Sequence, residues 1–217
     1  MNLEQARFNM VEQQIRTWEV LDQRVLDLMS RVPREHFVPA GYEALAFADT
    51  GIPLPHGQVM MAPRVEARMI QALEIEPDDR VLEVGTGSGF VTALLAGLAA
   101  HVTSVEIHRD LAESAARRLR EHGIDNVTVL TGDASRGWSD AAPYDVIAVT
   151  GSLPVPEPAF EQQLATGGRL FVIVGRAPAM EACLVRRVGD QQWVTESLFE
   201  TVLPALEGAR EPERFVF

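Results

Sequence analysis

A single cysteine, Cys183, excludes an intramolecular disulfide framework and fits a reducing compartment. It lies in an apolar run, where packing suits it better than nucleophilic chemistry. Basic residues are also scarce: 19 Lys and Arg against 31 Asp and Glu give a formal net charge of -12. So acidic a chain is repelled by a phosphate backbone, and nucleic acid is not an expected partner. Aromatic residues are few, and Trp18, Trp138 and Trp193 are too scattered to form a base-stacking platform. No hydrophobic run approaches the length needed to cross a bilayer, and the opening MNLEQARFNMVEQQIR lacks the apolar core of a signal peptide. A membrane is therefore not an expected partner, and the expected location is the cytoplasm. His36, His101, His108 and His122 show no metal-ligand spacing, so no metal is expected.

What is present is an ordinary globular composition, 47% hydrophobic over 217 residues, enough for one domain with a real core. We expect residues 1–75 to form a helical, substrate-side elaboration and residues 76–217 a cofactor-binding α/β core. Val11, Ile15, Val25, Leu28 and Met29 are spaced for one buried helical face over about residues 3 to 30, with a break near Asp22. Ala40 to Ala48 reads as a short helix, 49–63 as a Pro- and Gly-rich loop, and Arg64 to Leu73 as helix. From Val81 onward strands and helices alternate. Gly167-Gly168 turns into a strand at Arg169, and Gly189-Asp190 marks a late hairpin. The pattern predicts a mostly parallel sheet with helices on both faces, ending in an antiparallel hairpin. Arg117, Arg118 and Arg120 read as a solvated helix face.

The chemistry concentrates in VLEVGTGSG, Val81 to Gly89. Val81, Leu82 and Val84 suit a buried parallel strand, the glycines let backbone approach a ligand, and Phe90 opens a helix. A second apolar strand ends in Glu106, about 20 positions after the first glycine, where a carboxylate reaches ribose hydroxyls. Gly85, Gly87 and Gly89 are spaced G-x-G-x-G, one residue tighter than the dinucleotide fingerprint, which must seat a pyrophosphate. S-adenosylmethionine has no phosphate to cradle and suits this turn better. Glu83 either orients the loop or faces the methionine ammonium, and Asp133 is placed to accept from an adenine amino group. The candidate cofactor residues are Glu83, Gly85, Thr86, Gly87, Ser88, Gly89, Glu106, Ile107, Gly132, Asp133, Ala134 and Thr150.

With these motifs the chain resembles the protein-L-isoaspartate O-methyltransferase family over nearly its whole length. The resemblance is carried by Met10-Val11, Gln14-Ile15-Arg16, Asp22, Arg24-Val25-Leu26, Val32-Pro33-Arg34 and Phe37-Val38-Pro39. It continues through His56-Gly57-Gln58, Pro63, the Gly loop, Gly132-Asp133, Pro143-Tyr144-Asp145, Val149-Thr150 and Gly167-Gly168-Arg169-Leu170. It implies a Rossmann-like class I methyltransferase fold and methyl transfer from S-adenosylmethionine. The implied acceptor is a carboxylate of isoaspartyl residues in damaged proteins or peptides. His56 falls in the matching substrate-side loop. One departure matters: where the family carries its active-site serine after HGQ, this chain reads Val59-Met60-Met61, with Met61 at the serine's position. Ala134 likewise replaces a glycine, and Gly151-Ser152-Leu153 an alanine-rich stretch; Ser152 is a candidate substitute hydroxyl. The acceptor half has thus drifted while the cofactor half matches. A small carboxylate acceptor, or cofactor binding without catalysis, are the alternatives, and a monomer is expected.

Overall fold

The computed structural model describes residues 2–212. Met1 and the last five positions of the expected domain range, 213–217, lie outside the described residues.

The N-terminal helices follow their caps and apolar spacing. Asn2 caps α1 (Leu3–Asn9) by accepting from the amides of Glu4 and Gln5 at 3.1 and 3.3 Å. The chain widens into a π turn over Met10–Ile15, burying Met10, Val11 and Ile15, and stops at Glu19 in the left-handed region, φ 61°. Asp22 then caps α2 (Gln23–Arg31), which buries Val25, Leu26, Leu28 and Met29. The expected break near Asp22 is therefore a cap. Between Ala40 and Ala48 the expected helix is absent; only a 3₁₀ turn, Glu43–Leu45, forms. Gly41 at φ 89° bends the chain there, and the bonds run from each amide to the third carbonyl back. The Pro-rich loop contains a two-residue antiparallel ladder, β1 (Ile52–Pro53) on β2 (Val59–Met60), before α3 (Pro63–Leu73).

The rest is a doubly wound sheet: β3 (Arg80–Val84), α4 (Phe90–Ala96), β4 (His101–Glu106), α5 (Arg109–Glu121), β5 (Val127–Thr131), β6 (Tyr144–Leu153), α6 (Pro158–Gln162), β7 (Leu164–Arg176), β8 (Ala179–Gly189) and β9 (Gln192–Glu200). The seven strands lie in the order β5-β4-β3-β6-β7-β8-β9. The first five run parallel, and β8 and β9 add the predicted antiparallel hairpin. Strand periodicity splits the core in two. Val81, Val146, Ala148, Phe171 and Ile173 face the side covered by the N-terminal helices and α4. Leu82, Val84, Ile147, Val149, Leu170 and Val172 face the side that holds Phe160 of α6.

Strand β7 starts at Leu164, upstream of the Gly167-Gly168 pair that the sequence places before it. Tyr144 faces Leu164 while Val146 faces Arg169, so the glycines sit in a bulge. A second irregularity in β6, between Ala148 and Ser152, re-aims Thr150. After β9 the chain returns across the carboxyl end of β6. Ser152 N donates to Pro204 O and Leu206 N to Ser152 O, both at 2.9 Å, and the two form the rails of a short strap.

Candidate active site

The site lies where the connections leaving the adjacent strands β3 and β6 run toward opposite edges of the sheet, at the carboxyl ends of β3, β4 and β6. Gly85 turns there at φ 98°, its amide donating to Val105 O at 2.8 Å. A Cβ at Gly85 would stand 2.6 Å from Thr150 Oγ1, so only glycine fits. Thr150 Oγ1 lies 2.8 Å from Val84 O and 2.5 Å from Gly85 O, its hydroxyl shared between the two carbonyls. Glu106 closes the loop from the next strand. Its Oε2 accepts from Gly87 N at 2.9 Å and its Oε1 from His108 N at 3.0 Å. The first bond ties the Gly loop to the end of β4, the second fixes the carboxylate against the turn into α5, and each oxygen keeps a further lone pair.

Glu83 does not face this cleft, against the ammonium-facing alternative. It is fully buried on the same side of β3 as Val81, beneath α4, as strand alternation dictates. Its Oε2 accepts from Thr92 Oγ1 and Ser104 Oγ, each at 2.5 Å, while Oε1 has no partner. Burial pushes its pKa up to about 8, opposed by the Ser104 and Thr92 hydroxyls and aided by nearby Glu106. Ser104 Oγ also meets Thr86 Oγ1 at 2.5 Å, so Glu83 supports the loop from behind. The arginine cluster needs a correction as well: Arg118 is half-buried, and its Nη1 donates to Ser88 O at 3.2 Å.

The cleft holds about 750 Å³ of atom-free space, part of it open to solvent. Gly85, Thr86, Gly87, Ser88, Glu106, Ile107, Gly132, Asp133, Ala134 and Thr150 line it together; Gly89 sits behind, where a Cβ would stand 3.1 Å from Ala115 Cβ. Asp133 Oδ1 accepts from Ser135 N at 2.9 Å, which fixes the turn after β5. The opposite wall is Leu54, Gln58, Val59, Met60 and Met61, with Glu66 of α3. Met61 is buried, and its carbonyl accepts from Arg34 Nη2 at 2.7 Å. Arg34, also fully buried, donates from Nε to Ala46 O at 2.8 Å and from Nη1 to Glu66 Oε2. Burial pushes the Glu66 carboxyl up, and the Arg34 guanidinium beside it opposes that shift.

Two expected residues stand elsewhere. Ser152 is fully buried and its hydroxyl donates to Leu203 O at 2.8 Å, so it anchors the strap and offers no hydroxyl to the cleft. His56, at φ 61°, does not line the cleft. It stacks on His108 with ring centroids 4.0 Å apart and bonds Asp110 Oδ1 at 2.9 Å. That bond holds the Asp110 carboxyl below its ordinary value. His108 Nε2 in turn lies 2.9 Å from Glu207 Oε1. Leu206 and Glu207, on the strap, line the cleft and carried no signal in the sequence, since nothing local relates that segment to β6.

Among the described residues no helix is long and apolar enough to cross a membrane, and no group of His, Cys, Asp and Glu could hold a metal ion.

A Gly turn at a topological switch point and an acid closing it from the adjacent strand are the cofactor end of a class I S-adenosylmethionine-dependent methyltransferase. The pattern of the protein-L-isoaspartate(D-aspartate) O-methyltransferases matches residues 5–208, and the chain belongs to that family. It is 45% identical over 181 residues to the protein-L-isoaspartate O-methyltransferase of Koribacter versatilis (strain Ellin345), covering 83% of this chain and 81% of the relative. To protein-L-isoaspartate O-methyltransferase 2 of Pelobacter propionicus it is 40% identical over 210 residues, covering 96% and 93%. A solved protein-L-isoaspartate O-methyltransferase superposes with a TM-score of 0.81 at 25% identity, over 93% of this chain and 66% of that one. A Plasmodium falciparum structure described as this type of enzyme, in complex with S-adenosyl-L-homocysteine, has a TM-score of 0.78 at 19% identity, over 95% and 99%, and shares the fold.

Proposed function

We propose that this chain methylates the free carboxylate of isoaspartyl residues in damaged proteins and peptides, working as a monomer in the cytoplasm. The observation behind the reading is one continuous cleft that joins the Gly loop and Glu106 to the Val59–Met61 segment. The cradle fits S-adenosylmethionine: a side chain at Gly85 would fill it, and Glu106 and Asp133 keep acceptor capacity toward ribose hydroxyls and an adenine amino group. Ile107 offers an apolar surface beside them, and Gly132 to Ala134 close the adenine end. Residues 1–75 supply the acceptor side, residues 76–217 the cofactor side. When bound, the cofactor supplies a sulfonium methyl group. The acceptor carboxylate is already ionised at neutral pH, so the chain needs no strong general base. Its work is to hold the acceptor oxygen in line and keep water out, through Leu54, Met60, Met61 and Leu206.

Met61 carries an apolar thioether where the family has a hydroxyl, and this favours, as a second reading, a small carboxylate acceptor. Initial rates on an isoaspartyl peptide and its ordinary aspartyl twin decide between them. We expect transfer to the isoaspartyl peptide alone. Met61→Ser should raise kcat/KM by about ten- to a hundredfold, the scale of one polar contact in a desolvated site. If neither protein methylates the isoaspartyl peptide while both bind S-adenosylhomocysteine, the acceptor reading fails.

A further inference from the structure

Glu66 enters the cleft from α3, on the wall that also carries Met60 and Met61. It is fully buried. Its Oε2 is held by Arg34, and its Oε1 has no hydrogen-bond partner. Arg34 directs Nε and Nη2 to the carbonyls of Ala46 and Met61, at 2.8 and 2.7 Å. A buried carboxylate oxygen without a donor is costly, and folded proteins keep such groups where a ligand or an ordered water completes them. The Arg34 guanidinium sets positive charge against this acid, so the wall repels an entering carboxylate less than a lone acid would.

Held as a carboxylate by Arg34, the free oxygen is an acceptor, and its partner must bring an N–H or O–H. In an isoaspartyl residue, the carbon that bears the free carboxylate also bears the chain's amide nitrogen. In an ordinary aspartyl residue a methylene separates the two groups. A fixed acceptor beside the methylated carboxylate therefore distinguishes one spacing from the other. We propose that Glu66 Oε1 accepts this N–H and so selects isoaspartyl over aspartyl acceptors. The inference rests on the isoaspartyl function proposed above. Glu66 shares this wall of the cleft with Met60 and Met61, unbranched thioethers that change rotamer readily and so can yield to an entering group.

The test compares an isoaspartyl peptide with the same peptide methylated on the isoaspartyl nitrogen. Glu66→Gln keeps the shape. Its amide oxygen turns to Arg34, which leaves an NH₂ in place of the acceptor. The natural chain should lose about ten- to a hundredfold in kcat/KM on the N-methyl peptide, mostly through KM. Glu66→Gln should lose on the parent peptide and show less than about a threefold difference between the two peptides. Calorimetric binding of S-adenosylhomocysteine reports that the variant is folded. A penalty of equal size in both proteins means that the added methyl is excluded by bulk, and it overturns the proposal. Equal rates of the natural chain on both peptides also overturn it, with no variant needed, and leave the function standing. No transfer to either peptide by a cofactor-binding protein removes the function and this inference together.

Discussion

Glu83 and Glu106 are 23 residues apart in sequence yet only one strand apart in the sheet, and they have opposite tasks. Glu106 offers both oxygens to backbone amides at the cleft, whereas Glu83 is sealed behind the loop with one oxygen unpartnered. The folded pKa of Glu83 is about 8 against 4.5 for an ordinary glutamate. Below pH 4.5 both folded and unfolded chains hold this proton, and the contribution is complete. Between 4.5 and about 8 only the folded chain keeps it, so stability falls as pH rises through that window. Glu83→Gln removes the titration. Its unfolding free energy should gain on that of the natural chain by on the order of a few kcal/mol from about pH 5 to about pH 8.5, read from melting curves at each pH. Parallel melting curves across that range would show that Glu83 is ionised in the fold. The sequence marked both acids as candidates. It assigned Glu106 to the ribose and left Glu83 between orienting the loop and facing the ammonium, a choice that depends on which face of β3 lies under α4.

The strap is the element on which the cleft closes. Leu206 packs within 2.5 Å of where a Cβ on Gly151 would be, and also over Gly85, while Glu207 engages His108. Leu206→Ser removes apolar cover and admits water over the cofactor cradle. Burying a leucine side chain is worth about 1.5–3 kcal/mol, and part of that loss should appear as roughly five- to thirtyfold weaker S-adenosylhomocysteine binding. Unchanged affinity in calorimetry would place the strap outside the cofactor site. Elements with strong local signals matched their reading: α4 spans Phe90–Ala96, and β3 and β4 are the expected apolar strands. Ala40–Ala48 failed as a helix because Gly41 sits at positive φ, and its apolar residues Ala46 and Phe47 are buried by neighbours instead of by a helical stripe. Cys183 is buried in the second core, as its apolar run implied.

At the scale of the molecule, the cofactor cleft draws on the loop 54–61, on β3, β4, β6 and on the strap, so a ligand there joins parts remote in sequence. S-adenosylhomocysteine at a hundred times its Kd should add about 2.7 kcal/mol of unfolding free energy, and a chemical denaturation series with and without it checks this. A shift well below that figure would mean that the unfolded chain also binds. The acid excess, -12 overall, leaves the buried Arg34–Glu66 pair untouched, since surface charge is screened by water and salt. By itself the sequence determined the alternation of strands and helices with its late hairpin, and the Gly turn with its closing acid; its motifs also carried the resemblance to the family. These follow from periodicity, from glycine's access to positive φ and from motif spacing, all of which are local. Only the tertiary structure decided that Glu83 lies behind the loop, that Ser152 anchors a strap, that His56 stacks on His108, and that Glu66 joins the acceptor wall. Each depends on contacts between segments distant in the chain, where side-chain direction is set by packing and no local pattern records it.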